Sequence, residues 1–178
     1  MMKSRHNGSG DRGCKSAANV SYYLVDRNIE SGEADVTALI IDGVQVTYGE
    51  LYRRSSNVAA GLEEFGVRRE DRVMLVLPDD ANFVYCFLAA LRIGAIPVPV
   101  NPHAAVRDVL DTADRSGVRA AITHRCELAT HFETMPRPPI VLGVGWEPSA
   151  SRSIDELVSV DRERPAEPGR GLHARRAE

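Results

Sequence analysis

The sequence predicts an α/β protein: part of a mostly parallel sheet flanked by helices, preceded by a short N-terminal β-hairpin. Three observations predict it. Apolar runs at 73–77, 96–100, 120–123 and 140–144 show no polar alternation, the pattern of strands buried on both faces of a parallel sheet. Between them lie stretches whose apolar residues recur at helical spacing. Ahead of both, Asp42-Gly43 separates two apolar segments and supplies the residues a tight hairpin turn requires.

The elements follow in order. Val20, Tyr23, Leu24 and Arg27 have helical spacing after an Asn19 cap, which predicts a first helix to about Glu30. Residues 37–41 are β-branched and apolar, and 44–46 return across the turn as a two-stranded ribbon. Thr47 and Glu50 have capping-box spacing, in which each side chain satisfies a free backbone amide at a helix start. Leu51, Val58, Leu62 and Phe65 then mark one face of that helix, and Gly66 ends it.

After a polar link at 68–72, the run 73–77 is stopped by Pro78. Asp79 or Asp80 can cap the next helix, which carries Phe83, Phe87, Ala90 and Leu91 and ends at Gly94. The following run contains Pro97 and Pro99, which remove two ladder donors and predict an edge strand or an extended crossover. Residues 104–116 form a helix with Val106, Val109, Leu110 and Ala113 on one side. A short strand at 120–123, a helix at 124–134, a strand at 140–144 and a helical turn or two at 153–158 complete the reading.

The two ends read differently. Residues 1–18 carry Lys3, Arg5, Arg12 and Lys15 against Asp11 and no apolar stretch, so a disordered leader is expected rather than a secretory signal. Residues 161–178 hold five arginines, two prolines and one large aliphatic residue, Leu172, too little to order a segment. One partial domain is thus expected over 19–160.

Composition narrows the function. A hydrophobic fraction of 43% and a charged fraction of 26% are those of a soluble globular protein. A net charge of -3 gives no electrostatic reason to expect nucleic acid, and no apolar run approaches the ~20 residues that span a membrane. Three cysteines, Cys14, Cys86 and Cys126, lack paired spacing and suit a reducing cytoplasm. Of the 22 basic residues only Lys3 and Lys15 are lysines. Chemistry that needs a lysine in the folded core is therefore excluded for this chain as it stands.

Several segments in one order carry a resemblance. Tyr22-Tyr23-Leu24-Val25-Asp26-Arg27-Asn28 resembles the opening helix of benzoate-type CoA ligases. Thr47-Tyr48-Gly49-Glu50-Leu51 resembles the Thr-Tyr-x-Glu-Leu near the front of most adenylate-forming enzymes. Gly66-Val67 followed by Asp71-Arg72-Val73 is similar to their Gly-Val-x-x-Gly-Asp-x-Val, with Glu70 where glycine is usual. Phe87-Leu88-Ala89 through Gly94-Ala95, Pro99 and Asn101 is similar to their Phe-x-Ala-x-x-x-x-Gly-Ala-x-x-x-Pro-x-Asn. Over about 140 residues the chain resembles the N-terminal segment of the acyl-adenylate-forming, AMP-dependent synthetases and ligases, and within them the benzoate and aryl-CoA ligases.

That resemblance implies an incomplete adenylate-forming N-terminal domain and a two-step parent reaction. A carboxylate attacks the α-phosphate of ATP to give acyl-AMP and pyrophosphate, and the CoA thiol then attacks the acyl carbon. The family joins two anions with a Ser/Thr/Gly-rich loop ending in lysine, Mg²⁺, an acidic residue on the ribose and a lysine on a mobile C-terminal domain. None of these parts is found in this sequence, so no catalytic, cofactor-binding or metal residue is assigned in it. ATP, Mg and CoA belong to the full-length family, and an aromatic or other carboxylate to its substrate. A missing C-terminal portion or a separate chain is the implied partner, and the Arg-rich tail fits a shifted reading frame.

Other residue groups have simpler accounts. Gly143-Val144-Gly145-Trp146 lacks a third glycine and a basic partner, so it reads as a strand exit rather than a phosphate cradle. His124, Cys126 and His131 fall within eight residues, yet their spacing matches no closed zinc pattern. Asp79-Asp80 reads as helix capping, and Asp108, Asp111 and Asp114 with Arg107 and Arg115 as a solvated helix face. Cys86 reads as a small core residue. His103, after Asn101-Pro102, stands where ligands gather in open α/β sheets, although a plain loop position is its default. The expectation is a truncated, cytoplasmic aryl- or acyl-CoA ligase segment, inactive alone. The alternatives are a non-catalytic α/β interaction module or one half of a split ligase.

Overall fold

The computed structural model describes residues 19–146 and 153–159. The leader at 1–18 and the tail at 161–178 lie outside the described residues. The first helix starts after Asn19, whose side-chain oxygen accepts from Ser21 N at 2.9 Å. It passes through a π-helical turn, Tyr22–Asp26, into α1, Arg27–Glu30. Its buried face is Ser21, Val25 and Asp26, whereas Val20, Tyr23 and Leu24 point outward. The apolar stripe read from spacing is therefore the exposed side. The π-turn rotates Asp26 inward, where an ion pair awaits it.

Strands β1, Thr37–Ile41, and β2, Val44–Thr47, pair antiparallel across Asp42 and Gly43, both at positive φ, as the hairpin turn demands. Thr47 then caps α2, Tyr48–Glu64, by accepting from Glu50 N at 3.2 Å. Gly66 at φ 88° turns the chain off this helix.

Four strands make the central sheet: β3, Arg72–Val76; β4, Ile96–Pro99; β5, Ala120–Thr123; and β6, Ile140–Gly143. All neighbours are parallel, in the order β4-β3-β5-β6. The edge position of β4 follows from its prolines. Ile96 and Val100 donate to the Asp71 and Leu75 carbonyls, so the donorless Pro97 and Pro99 fall on the outer side of the ladder.

Helices cover both faces. Val73, Leu75 and Leu77 meet α2 and α3, Ala81–Arg92, through Val58, Leu62, Cys86 and Ala89. Met74 and Val76, pointing the other way, meet α4, Val106–Ser116, and α5, Glu127–Glu133, through Val109, Ala113, Leu128 and Phe132. This is why the strands read as unbroken apolar runs. A third cluster, Val25, Val46, Leu51, Tyr85 and Leu88, seats the hairpin and first helix on α2 and α3. The last described helix, α6, Ile154–Ser159, lies on α2 with Leu157 over Gly61. None of the described helices is long and apolar enough to cross a membrane.

One predicted helix is shorter than its pattern. Residues 124–126 precede α5, and His124 is drawn off to the sheet, its Nδ1 3.2 Å from the Val76 carbonyl. His124 and His131 consequently share no helix face.

Candidate functional site at the carboxyl edge of the sheet

In an open parallel sheet, ligands collect outside the carboxyl ends of the strands, because helix N-termini and loop side chains converge there. Here that edge is built from the segments after β3, β4, β5 and β6. The chain runs outward from β3 to β4 and then returns to the other side of β3 for β5, so the order reverses between β3 and β5.

A cleft of about 440 Å³ opens where β3 and β4 end, lined by Leu77, Pro78, Asp79, Phe83, Pro99, Val100, Asn101, Pro102 and His103. Pro78 stops β3, and Asp80 starts α3 by accepting from Phe83 N at 3.0 Å. Of the two adjacent aspartates, Asp80 is thus the cap and Asp79 faces the cleft. On the opposite wall the chain leaves β4 in a tight turn. Asn101 Oδ1 accepts from His103 N at 2.8 Å, and the Asn101 carbonyl accepts from Ala104 N at 3.0 Å. His103 stands exposed at the mouth. The lining pairs an apolar floor with one carboxylate, one amide and one imidazole, suited to a flat, partly polar ligand.

The switch point itself is closed by the chain's own side chains. His124 holds the last residue of β3, as described above. Arg125 Nη1 donates to the carbonyls of Pro102, at 3.3 Å, and Ala104, at 2.8 Å, while its Nε donates to Glu127 Oε1 at 2.7 Å. That bond holds the Glu127 carboxyl below the usual carboxylate range. Thr123 Oγ1 accepts from Arg125 N at 3.0 Å, which fixes the root of the side chain.

The remaining candidates separate. Gly143 is covered by the Trp146 ring, with which a Cβ there would collide, and Gly145 N–H already donates to Asp155 Oδ2 at 2.7 Å. A carboxylate of the chain therefore takes the amide that a phosphate would need, and no lysine lies beyond Lys15. The described residues do not fit the phosphates of ATP at this turn. Among the described residues, no three of His, Cys, Asp and Glu are grouped to hold a metal ion. Cys126 and His131 are exposed, while Cys86 is buried with its thiol pushed up by burial, with Asp80 and Asp155 adding to the shift. Asp111 pairs with Arg115 at 3.0 Å on the exposed face of α4.

Sequence reasoning missed Arg125. A single arginine after a strand carries no pattern, and its partners lie 21 and 23 positions away.

Comparisons with known proteins agree with this architecture. The family model described as AMP-binding enzyme matches residues 25–170. The 4-coumarate--CoA ligase 4 of Arabidopsis thaliana is 32% identical over 108 residues, which are 58% of this chain and 19% of that protein. A benzoate CoA ligase from Burkholderia xenovorans LB400 superposes with a TM-score of 0.66 at 28% identity, over 90% of this chain and 30% of that one. The anthranilate CoA ligase AuaEII, solved in complex with anthranoyl-AMP, gives a TM-score of 0.74 over 86% of this chain and 30% of that one; at 21% identity it bears on the fold alone. The chain thus spans about a fifth of the length of this curated relative and under a third of these solved ones.

Proposed function

The chain belongs to the AMP-binding enzyme family, and on that premise we propose that it supplies the amino-terminal α/β scaffold of an aryl- or acyl-CoA ligase. In this reading the parent reaction turns a carboxylate and ATP into acyl-AMP and then a CoA thioester. The phosphate loop, the catalytic lysine and the ligands of Mg²⁺ come from outside these residues, either from a further portion of the polypeptide or from a second chain in the cytoplasm. An aromatic carboxylate is the proposed substrate, by likeness to the benzoate ligase. Alone, the chain does not catalyse adenylation.

One observation carries the reading. The family match covers a parallel sheet in which the Gly143-to-Gly145 turn has its Gly145 amide taken by Asp155, in a chain with no lysine past Lys15. The test is benzoate-dependent ATP–pyrophosphate exchange. The chain alone is expected to give the blank rate, and a co-expressed segment bearing a Ser/Thr-Gly-rich loop with lysine is expected to restore it. Exchange by the chain alone would overturn the inactive reading.

A second reading, a non-catalytic interaction module, draws on a different observation. Both faces of the sheet are covered, and Pro97 and Pro99 blunt the β4 edge against strand addition. It requires a monodisperse chain that unfolds cooperatively, whereas an incomplete scaffold is expected to self-associate. Size-exclusion chromatography with a thermal melt separates the two.

A further inference from the structure

The strand order is β4-β3-β5, yet the Arg125 side chain, rooted just after β5, bonds to carbonyls in the turn after β4. Neighbouring strands lie about 4.8 Å apart, so the bond joins two loops whose strands are separated by β3. We infer that Arg125 is the positioning residue of the carboxyl-edge cleft: it fixes the turn after β4 that carries Asn101 and His103, and so shapes the cleft's mouth. The inference rests on the reading that this cleft binds a ligand, and it adds the residue that holds the cleft's outer wall in place.

The chemistry suits a guanidinium. Its donors are fixed in one plane, so a single side chain can serve two carbonyls through Nη1 and a carboxylate through Nε. Charge-assisted bonds of this kind are stronger than neutral ones. Only 18% of the side chain is exposed, so water competes weakly for these donors. The turn's own bonds, His103 N to Asn101 Oδ1 and Ala104 N to Asn101 O, close it upon itself, and Ala104 packs against the cluster beneath α4; the polar ties to Arg125 are added to these. Between β4 and α4, Pro102 and Ala104 are where the turn is tied back to the sheet through Arg125. His124, bonded to the Val76 carbonyl, anchors the residue beside it to β3.

The test uses the full chain with Arg125→Ala, Arg125→Gln and Arg125→Lys. Hydrogen exchange at the His103 and Ala104 amides is expected to quicken roughly tenfold or more in Arg125→Ala, the scale of losing a hydrogen bond to a charged group. Amides within β3 and β5 are expected to stay within about twofold, and Arg125→Lys, which keeps the charge but not the fork, to recover part of the loss. In parallel, benzoate, ATP with Mg²⁺, and CoA are each titrated while the His103 ring protons are followed by NMR. The probe that moves His103 in the natural chain is expected to bind Arg125→Ala at least ~fivefold more weakly, with the thermal midpoint little changed, as for loss of one tie at a partly exposed turn. Unchanged exchange at His103 and Ala104 overturns the inference, as does a loosened turn that binds the probe equally well. If no probe moves His103 in the natural chain, the ligand-binding reading of the cleft fails on that result, while the exchange data still judge the tie itself.

Discussion

Arg92, fully buried, presents its two terminal nitrogens to the two carboxylate oxygens of Asp26 at 2.8 and 2.7 Å, across 66 positions of sequence. The guanidinium also lies over the Tyr52 ring, 4.8 Å from its centroid. Beside the pair, Asn19 Nδ2 donates to the carbonyls of Leu91 and Arg92. These contacts lock the first helix to the end of α3, and they explain why its polar side faces inward.

Removing one partner of that pair leaves the other charge buried without compensation. Asp26→Ala and Arg92→Ala are each expected to lower unfolding stability by about 3–5 kcal/mol. The double change Asp26→Leu with Arg92→Met is expected to cost much less, since two apolar side chains of similar size need no partner. Urea denaturation of the four proteins checks this; a double variant as unstable as the singles would contradict it.

Gly61 offers a sign reversal. Within a helix, glycine to alanine ordinarily gains about 1 kcal/mol. Here a Cβ would collide with Leu157, so Gly61→Ala is expected to unseat α6 and to forfeit roughly 1.5–3 kcal/mol of leucine burial. In a Leu157→Ala background the same change is expected to stabilise instead. A double-mutant cycle read by thermal melts decides it, and equal effects in both backgrounds would rule the collision out.

Glu70 sits at φ 67°, a left-handed conformation, with its amide donating to the Gly94 carbonyl at 2.9 Å. Its side chain gains little there, lying 3.8 Å from Arg69 on an exposed surface. Since a side chain costs about 1–2 kcal/mol in that region, Glu70→Gly is expected to stabilise by about 1 kcal/mol after glycine's own entropy is set against it. A thermal midpoint that falls would refute this.

The two described cysteines are expected to differ in reactivity. Cys126 is exposed, whereas Cys86 is enclosed and its thiol is held protonated by burial. Iodoacetamide at neutral pH is expected to modify Cys126 in the native chain and Cys86 only after denaturant is added, as peptide mass spectrometry would record. Native labelling of Cys86 at a similar rate would show that its side of the core opens.

What the sequence determined by itself was everything with local causes. The Asp42-Gly43 hairpin, the Thr47 and Asp80 caps, the unalternating strands and the edge strand at Pro97 and Pro99 each depend on residues a few positions apart, where backbone sterics and donor counts decide the outcome. The family resemblance was legible for the same reason, since its motifs sit at these turns and caps. Tertiary structure decided the rest. It drew His124 off α5 to a carbonyl 48 positions away, turned Val20, Tyr23 and Leu24 outward so that Asp26 could meet Arg92, and joined Arg125, after β5, to the turn after β4. In each case the partner was near in space but remote in sequence, beyond the reach of any local periodicity, and for the buried Asp26–Arg92 pair a partner was obligatory.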